Sequence, residues 1–363
     1  MKTKIGVLFG GQSAEHDISI CSAQSVIQHL DLNKYDILPI GIDKKGTWLF
    51  FCKDAFLSSI QQNHIPTLQT KNAHFPLVFS KPLGEALSYI LKEKCDVIFP
   101  LLHGPYGEDG SMQGLLQLAN LPYVGSDTLS SSICMDKIIT KELLKAANLP
   151  ISSYIALHSK DLININMIIA NLSLPLFVKP ANLGSSIGIN KVHTKEQLRP
   201  CINEAFLYDE HVLIEEHIEG KEIECAILGN LDPLTSLPGQ ILPTHEFYSY
   251  TAKYIDAKGA EFQVPASLTS SQVQKIQKLG IQAYKTLRCE GMARIDFFLK
   301  ENGKIIINEI NTIPGFTTIS LYPRLWGISG IPYSKLLDRL IDLAIERFKR
   351  KQVLHTSYSN TKK

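Results

Sequence analysis

The sequence predicts an α/β protein, in detail α+β, of two or three domains. Three observations carry that reading. At the N-terminus a β-prone run passes through Gly10-Gly11 into a helical pattern (4-KIGVLFGG-11, then 13-SAEHDISICSAQSVIQHL-30). Near the C-terminus two apolar runs flank Asn302-Gly303, the strongest short-range hairpin signal, because a type I′ turn needs φ > 0 at both central residues. The length, 363 residues, exceeds that of a typical single domain.

Taken in order, Ser13 is a suitable N-cap for the first helix, and Glu15 in its first turn complements the helix dipole. Glu15 is equally a carboxylate at a strand–helix junction, where ligands bind in open α/β sheets. Gly10-Gly11 falls short of a full GxGxxG nucleotide fingerprint. Strands near 36–42 and 47–52, an irregular polar stretch over 58–80 and a helix near 84–93 follow. They lead to 95-CDVIFPLLHGPYGEDGSMQG-114, a buried strand entering a Gly-rich loop with His103, Glu108 and Asp109. Asp109 can cap a helix over 110–119, and a lone histidine such as His103 more often serves structure than catalysis. A domain boundary falls near 128, followed by a helix over 130–148 that carries Lys137 and ends at Pro150.

In 175-PLFVKPANLGSSIGINKV-192 a strand carrying Lys179 runs into Gly184-Ser185-Ser186. An ammonium beside such a turn can hold phosphate oxygens together with backbone N–H groups; an ordinary hairpin turn with an edge lysine has the same pattern. A helix over 195–208 precedes a strand over 211–228 with Glu215, Glu216 and Glu222. These acids fit either surface alternation or an edge that binds a ribose or an adenine amine. The segment 244–264, aromatic and polar with Lys253 and Tyr254, reads as a lid. A helix over 270–288 reaches the hairpin, an amphipathic helix spans 332–350, and the last dozen residues read as a disordered basic tail.

The hairpin, 292-MARIDFFLKENGKIIINEINTIPGF-316, is the most informative stretch. A two-residue turn makes facing residue numbers sum to 605, which sets Asp296 opposite Glu309 and Arg294 opposite Asn311. Strand alternation places these four on one face and Ile295, Phe297, Leu299, Ile306 and Ile310 on the other. Two carboxylates about 5 Å apart repel by about 3 kcal/mol at an effective dielectric of about 20. A multivalent cation reverses that sign, and Asp, Glu and an Asn amide oxygen are hard ligands suited to Mg²⁺ or Mn²⁺. A longer turn would slip the register and turn the carboxylates to solvent. The tail 311-NTIPGF-316 favours a tight loop at a site.

Composition excludes other classes. Lys and Arg number 37 against 35 Asp and Glu, so no basic field points to nucleic acid. No apolar run approaches the roughly 18 residues of a membrane span, and the run 5–9 is too short for a signal-peptide core. Seven scattered cysteines without a CxxC pair favour a reducing cytoplasm over disulfides or a zinc site.

The stretches GGQSAEHDIS (10–19), HGPYGEDGSMQG (103–114), MDK (135–137), VKPANLGSSIG (178–188), IEEHIEGKEIE (214–224), EFYSYTAKY (246–254), RIDF (294–297) and NEINTIPGFTTISLYP (308–323) cover most of the chain. In this order they resemble the ATP-grasp ligases, and within them the D-alanine:D-alanine ligases. The resemblance implies a Rossmann-like substrate domain over 1–128. It implies ATP-grasp subdomains over 129–215 and 216–350, the second with the lid 244–264, and a tail over 351–363. It implies ATP-dependent joining of two D-alanines through a D-alanyl phosphate, for peptidoglycan precursors, in a cytoplasmic homodimer. Lys137 and Lys179 match phosphate-binding lysines. Glu215, with the Ile218 backbone beside it, matches the adenine contact and Glu222 the ribose contact, and Glu216 and Lys253 join the nucleotide set. Asp296, Glu309 and Asn311 match the ligands of two Mg²⁺ (or Mn²⁺) ions. Glu15 matches the anchor of the first D-alanine's ammonium, linked through Ser185 to Tyr254. Arg294 and the Gly315 N–H match the oxyanion stabilisers, Ser320 and Leu321 the cradle of the second carboxylate, and His103 a histidine close to the reacting groups. The resemblance also implies that Tyr254 favours an amine over D-lactate as nucleophile. Rival readings are a related ligase making D-alanyl-D-lactate or another D-dipeptide, and a non-catalytic ATP-binding module.

Overall fold

The computed structural model describes residues 2–61, 68, 77–243 and 260–355. Three sheets follow one another along the chain. The first contains β1 (Thr3–Gly10), β2 (Tyr35–Ile42), β3 (Trp48–Phe51), β4 (Leu77–Lys81) and β5 (Val97–Pro100), in the order β4-β3-β2-β1-β5. β1 runs parallel to β2 and β5, and β3 and β4 add antiparallel at one edge. The apolar run of β1 follows from cover on both faces: Ile5, Val7 and Phe9 enter one core and Leu8 another.

Helix α1 (His16–His29) begins two residues later than the sequence suggested. Ser13 is not its cap. The Ser13 hydroxyl accepts the Glu15 N–H (3.2 Å) and donates to the His103 carbonyl (2.7 Å). That turn leaves Glu15 just before the first helical residue. After α2 (Lys53–Gln61), α3 (Leu83–Lys92) and α4 (Ser111–Leu118), the expected single helix over 130–148 is two, α5 (Thr128–Met135) and α6 (Lys137–Ala146). Asp136 divides them with an extended backbone (φ −82°, ψ 106°), and its carboxylate accepts the N–H groups of Ile138 and Ile139. A capping carboxylate of this kind starts a new helix and makes Lys137 its first residue. Asp109 contributes to the start of α4 by accepting the Ser111 N–H (2.9 Å), while Gly110 (φ +93°) occupies the cap position itself.

The second sheet is antiparallel, with β6 (Tyr154–His158), β7 (Leu176–Pro180), β8 (Asn190–Val192) and β9 (His211–Glu216) in the order β6-β9-β7-β8. Leu176, Val178, Val212 and Ile214 pack with α7 (Ile165–Asn171) and α8 (Lys195–Ala205). Alternation then puts Phe177, Lys179, Leu213 and Glu215 on the opposite face. The single strand expected over 211–228 is two strands in different sheets, because residues 217–220 leave the ladder.

The third sheet contains β10 (Lys221–Gly229), β11 (Leu234–Thr235), β12 (Gly239–Pro243), β13 (Ala260–Gln263), β14 (Gly291–Leu299) and β15 (Ile305–Asn311). Its main order is β13-β12-β10-β14-β15. The expected lid lies mostly outside the described residues, and its end, 260–263, is strand β13 rather than loop. Helix α9 (Ser270–Thr286) covers one face of the sheet, where Ile276, Ala283 and Tyr284 share a core with Ile223, Ile227, Ile295 and Phe297. After α10 (Leu321–Ile328), helix α11 (Tyr333–Gln352) returns to the start of the chain: Leu336, Leu337, Leu340 and Ile341 share the core of Ile5, Val7 and Phe9. The end of the expected 216–350 unit therefore packs against the first sheet.

Candidate active site

The register of the hairpin sets the third-sheet part of the site. The turn is one residue longer than expected. Lys300 donates to the Lys304 carbonyl (2.9 Å), enclosing Glu301, Asn302 and Gly303, with only Gly303 described at positive φ (+79°). Next to the turn, facing numbers therefore sum to 604, as in Phe297 opposite Ile307. A β-bulge then absorbs Asn308, and beyond it the sum is 605: Asp296 faces Glu309 and Arg294 faces Asn311. The predicted polar face survives through two compensating departures. The core face changes with them. Ile305 and Ile307 point to the core, whereas Ile306 pairs with Phe298 on the other face.

On that polar face Glu224 of β10 stands directly opposite Asp296, so Glu224, Asp296 and Glu309 lie abreast on three adjacent strands. Arg294 binds Asp296 through two bonds (2.8 and 2.7 Å), and its Nε lies 2.9 Å from Glu224. Burial disfavours the guanidinium charge, but Asp296 and then Glu224 outweigh that and hold it firmly protonated. The Asn311 amide donates to Asp296 (3.1 Å). Among the described residues no group of three or more His, Cys, Asp or Glu is placed to hold a metal ion by itself. Two carboxylates and an amide oxygen with open positions still fit Mg²⁺, which keeps waters and completes its shell with phosphate oxygens.

The second sheet holds a different cluster. Glu215, 4% exposed, is salt-bridged to Lys179 and to Lys141 (2.8 Å) and accepts the Ser152 hydroxyl (2.7 Å). Burial raises the Glu215 carboxyl, but Lys141 and Lys179 overcome that and hold it well below the usual range. Burial likewise works against the Lys179 charge, and Glu215 more than restores it. Lys137 donates to the Leu183 carbonyl (2.5 Å); burial lowers its pKa, against the pull of Glu309. Glu222 enters β10 on the face of Glu224, and Glu216 and Ile218 lie at the crossing from β9 to β10.

The three regions meet at a cavity of about 100 Å³, whose lining includes Glu15, His103, Glu108, Lys137, Ser185, Arg294, Glu309, Asn311 and Gly315. Ser185, at φ +54°, hydrogen-bonds to Glu15. Gly104 and Gly184 border the Glu15 carboxylate closely, since a Cβ on either would stand 3.0 or 3.2 Å from its Oε2. Burial, with Glu15 adding, pushes Glu108 up to about 8. Burial lowers His103, whose ring nitrogens contact the Ile313 carbonyl (3.1 Å) and the Ser22 hydroxyl (3.2 Å). Ser320 holds Thr317 through its Oγ (3.0 Å to N, 2.7 Å to Oγ1) and sits at the N-cap of α10. The Leu321 side chain is buried, so only its backbone can face a ligand. Lys253 and Tyr254 lie outside the described residues.

Sequence reasoning missed Glu224, Lys141 and Ser152. Periodicity signalled the first two: Glu224 follows Glu222 at strand spacing, and Lys141 follows Lys137 at helical spacing. Nothing local signalled Ser152.

Two family models match the chain, one described as D-ala D-ala ligase N-terminus over residues 4–126 and one as D-ala D-ala ligase C-terminus over 143–342. A D-alanine--D-alanine ligase of Oceanobacillus iheyensis is 47% identical over 365 residues, covering 99% of this chain and 100% of the relative. The solved D-Ala:D-Ser ligase VanG of Enterococcus faecalis is 35% identical with a TM-score of 0.78, covering 95% of this chain and 100% of that one. A D-alanine--D-alanine ligase of Bacillus anthracis, solved in complex with ATP, is 30% identical with a TM-score of 0.74, covering 96% and 99%.

Proposed function

The chain belongs to the D-alanine–D-alanine ligase family, and from that premise we propose how its residues join two D-alanines at the expense of ATP, the step that supplies a peptidoglycan precursor. One observation carries the reading: Arg294, Glu224, Asp296 and Glu309 stand on one face of adjacent strands, at a cavity that Glu15, Ser185 and Gly315 also border.

ATP binds between the second and third sheets. Glu215, Glu216 and the Ile218 backbone take the adenine, Glu222 the ribose, and Lys137 and Lys179 the phosphates, with Lys253 added from the lid. A phosphate beside Lys137 supplies an anion for its partly buried ammonium. Asp296, Glu309 and Asn311 are the residues that would hold Mg²⁺, which would neutralise charge on the transferring phosphoryl group.

Glu15, braced by Ser185, anchors the first D-alanine's ammonium. The D-alanine carboxylate attacks the γ-phosphorus of ATP and ADP leaves, giving an acyl phosphate. The free amine of the second D-alanine then attacks the acyl carbon, and the C–O bond to phosphate breaks as the amide forms, the proton lost from nitrogen leaving with hydrogen phosphate. Arg294 and the Gly315 N–H face the developing oxyanion. The second carboxylate sits at the start of α10, on Ser320 and the Leu321 N–H, where the helix dipole favours an anion. His103, neutral and with both nitrogens engaged, supports the site rather than moving a proton.

A homodimer rests on the family alone. A cytoplasmic setting rests on the family and on cysteines that are all free. Among the described residues no helix is long and apolar enough to cross a membrane.

The test is ADP release coupled to product identification by mass, with D-alanine, D-lactate and D-serine supplied together from about pH 6 to 9. Tyr254 is expected to favour the amine, because its reference pKa of about 10 leaves it neutral beside the incoming nucleophile. D-Alanyl-D-alanine is the expected main product. ADP release independent of D-alanine contradicts ligation, and a predominant ester or D-serine product contradicts the assigned nucleophile.

A further inference from the structure

Gly315 lies in the segment 313–316, and its neighbours are bound by the His103 loop, by α1 and by the start of α11. The Ile313 carbonyl accepts from His103 Nδ1 (3.1 Å). That carbonyl can only accept, so Nδ1 carries the proton and Nε2 accepts from the Ser22 hydroxyl (3.2 Å). With its proton committed, Ser22 Oγ accepts the Phe316 N–H (3.3 Å). On the far side the Phe316 carbonyl accepts from the Tyr333 hydroxyl (2.5 Å), which the Ser25 hydroxyl meets at 3.2 Å. Pro314 has no N–H to place. Ile313 and Phe316 are buried, and the Phe316 ring packs edge-on to Phe99 with centroids 5.8 Å apart. Gly315 alone in this segment is part-exposed, and it borders the cavity.

We propose that Ser22 and Tyr333, with His103, are positioning residues that clamp the backbone on both sides of Gly315, so that α1 and α11 fix the place of an oxyanion donor. The proposal rests on the functional reading above. It also gives a use to two hydroxyls on the inner face of α1: Ser22 meets His103 and Phe316, and Ser25 meets Tyr333 of α11. An oxyanion donor works because it is fixed in place before charge develops, and a displacement of about 1 Å can cost up to about 100-fold. A clamp of this kind acts on the transition state and leaves nucleotide binding untouched.

Tyr333→Phe removes the hydroxyl but keeps the ring stacked on His29 (centroids 4.3 Å apart). The expected result is a fall in kcat of about tenfold, a partial loss of what a whole donor contributes. Affinity for a phosphinic-acid mimic of the tetrahedral adduct should fall by a similar factor, while ATP affinity stays within about twofold of the parent. Ser22→Ala, which frees the Phe316 N–H and His103 Nε2, should repeat the pattern. Unchanged kcat and phosphinate affinity in both variants would overturn the clamp. So would equal loss of ATP and phosphinate affinity, which marks general damage. Failure of the parent protein to make dipeptide would instead overturn the functional reading and the clamp with it.

Discussion

The two ionic clusters of this protein are built on opposite principles. In the second sheet, Lys141 and Lys179 close on the single carboxylate of Glu215, with Ser152 filling an additional hydrogen-bonding position. In the third sheet, one guanidinium, Arg294, serves a row of three carboxylates, Glu224, Asp296 and Glu309. The first cluster carries one surplus positive charge beside the proposed phosphate site. The second carries two surplus negative charges where cations are proposed to bind. The difference lies in the balance of charge, which is positive in the first cluster and negative in the second. Buried pairs satisfied internally cost stability when one partner is removed. A row of like charges should cost function when altered, and little or no stability.

The largest expected effect breaks the second cluster without touching the fold. Glu309→Gln should lower turnover by roughly a thousandfold or more, the order associated with losing phosphoryl-transfer electrostatics, while the ligand-free melting temperature holds or rises because a like-charge contact is gone. In the parent, Mg²⁺-ATP should raise the melting temperature through linkage, and in the variant that gain should shrink. Full activity of Glu309→Gln in metal-replete buffer would remove Glu309 from the metal site.

Next comes the first cluster. Glu215→Gln leaves two buried ammoniums facing a neutral amide, and by the usual cost of breaking a buried pair it should destabilise the protein by about 3–5 kcal/mol. The pH dependence has a definite sign. Because the folded Glu215 carboxyl is held below its ordinary value, its contribution is present above the unfolded carboxyl range and is lost as pH falls through and below it. Chemical denaturation between about pH 3 and 7 should therefore show a shallower acid loss in Glu215→Gln than in the parent. Parallel curves would mean that the lysines do not depress Glu215.

A third effect sharpens the contrast at the cavity between the clusters. Glu108 is raised to about 8 by burial and by Glu15, so the folded state holds its proton where the unfolded state has lost it. Stability should fall as pH rises from the ordinary carboxyl range to about 8 and then level off. Glu108→Gln removes that term, so the variant should gain on the parent across this window. A melting-temperature difference independent of pH would show that Glu108 is ionised throughout.

Much of this organisation was legible in the sequence, for reasons that differ by element. β1 and α1 were readable because apolar periodicity is a local property. The polar face of the hairpin was readable only because two departures cancel: the turn gained Glu301 and the ladder expelled Asn308. Period-two alternation cannot register a bulge, so Ile306 was placed on the core face. The break at Asp136 was missed because a local capping carboxylate interrupts a pattern that periodicity reads as continuous, and the division at 217–220 because it is decided by tertiary partners. Asp136 caps a helix that turns Lys137 toward the Leu183 carbonyl, and the two halves of 211–228 are claimed by different sheets. The pairing of Lys141 and Ser152 with Glu215 joins residues distant in sequence, which local periodicity does not show.

The most direct test of the central claim, activation of a carboxylate by phosphoryl transfer followed by amine attack, follows one oxygen atom. D-Alanine labelled with oxygen-18 in its carboxylate is incubated with ATP, Mg²⁺ and the protein, and the released phosphate is analysed by mass together with the dipeptide. An acyl phosphate requires one carboxylate oxygen to leave with phosphorus, so labelled phosphate should appear in step with D-alanyl-D-alanine. Unlabelled phosphate released alongside dipeptide would contradict the acyl phosphate, and with it the roles of Arg294 and Gly315 as oxyanion donors.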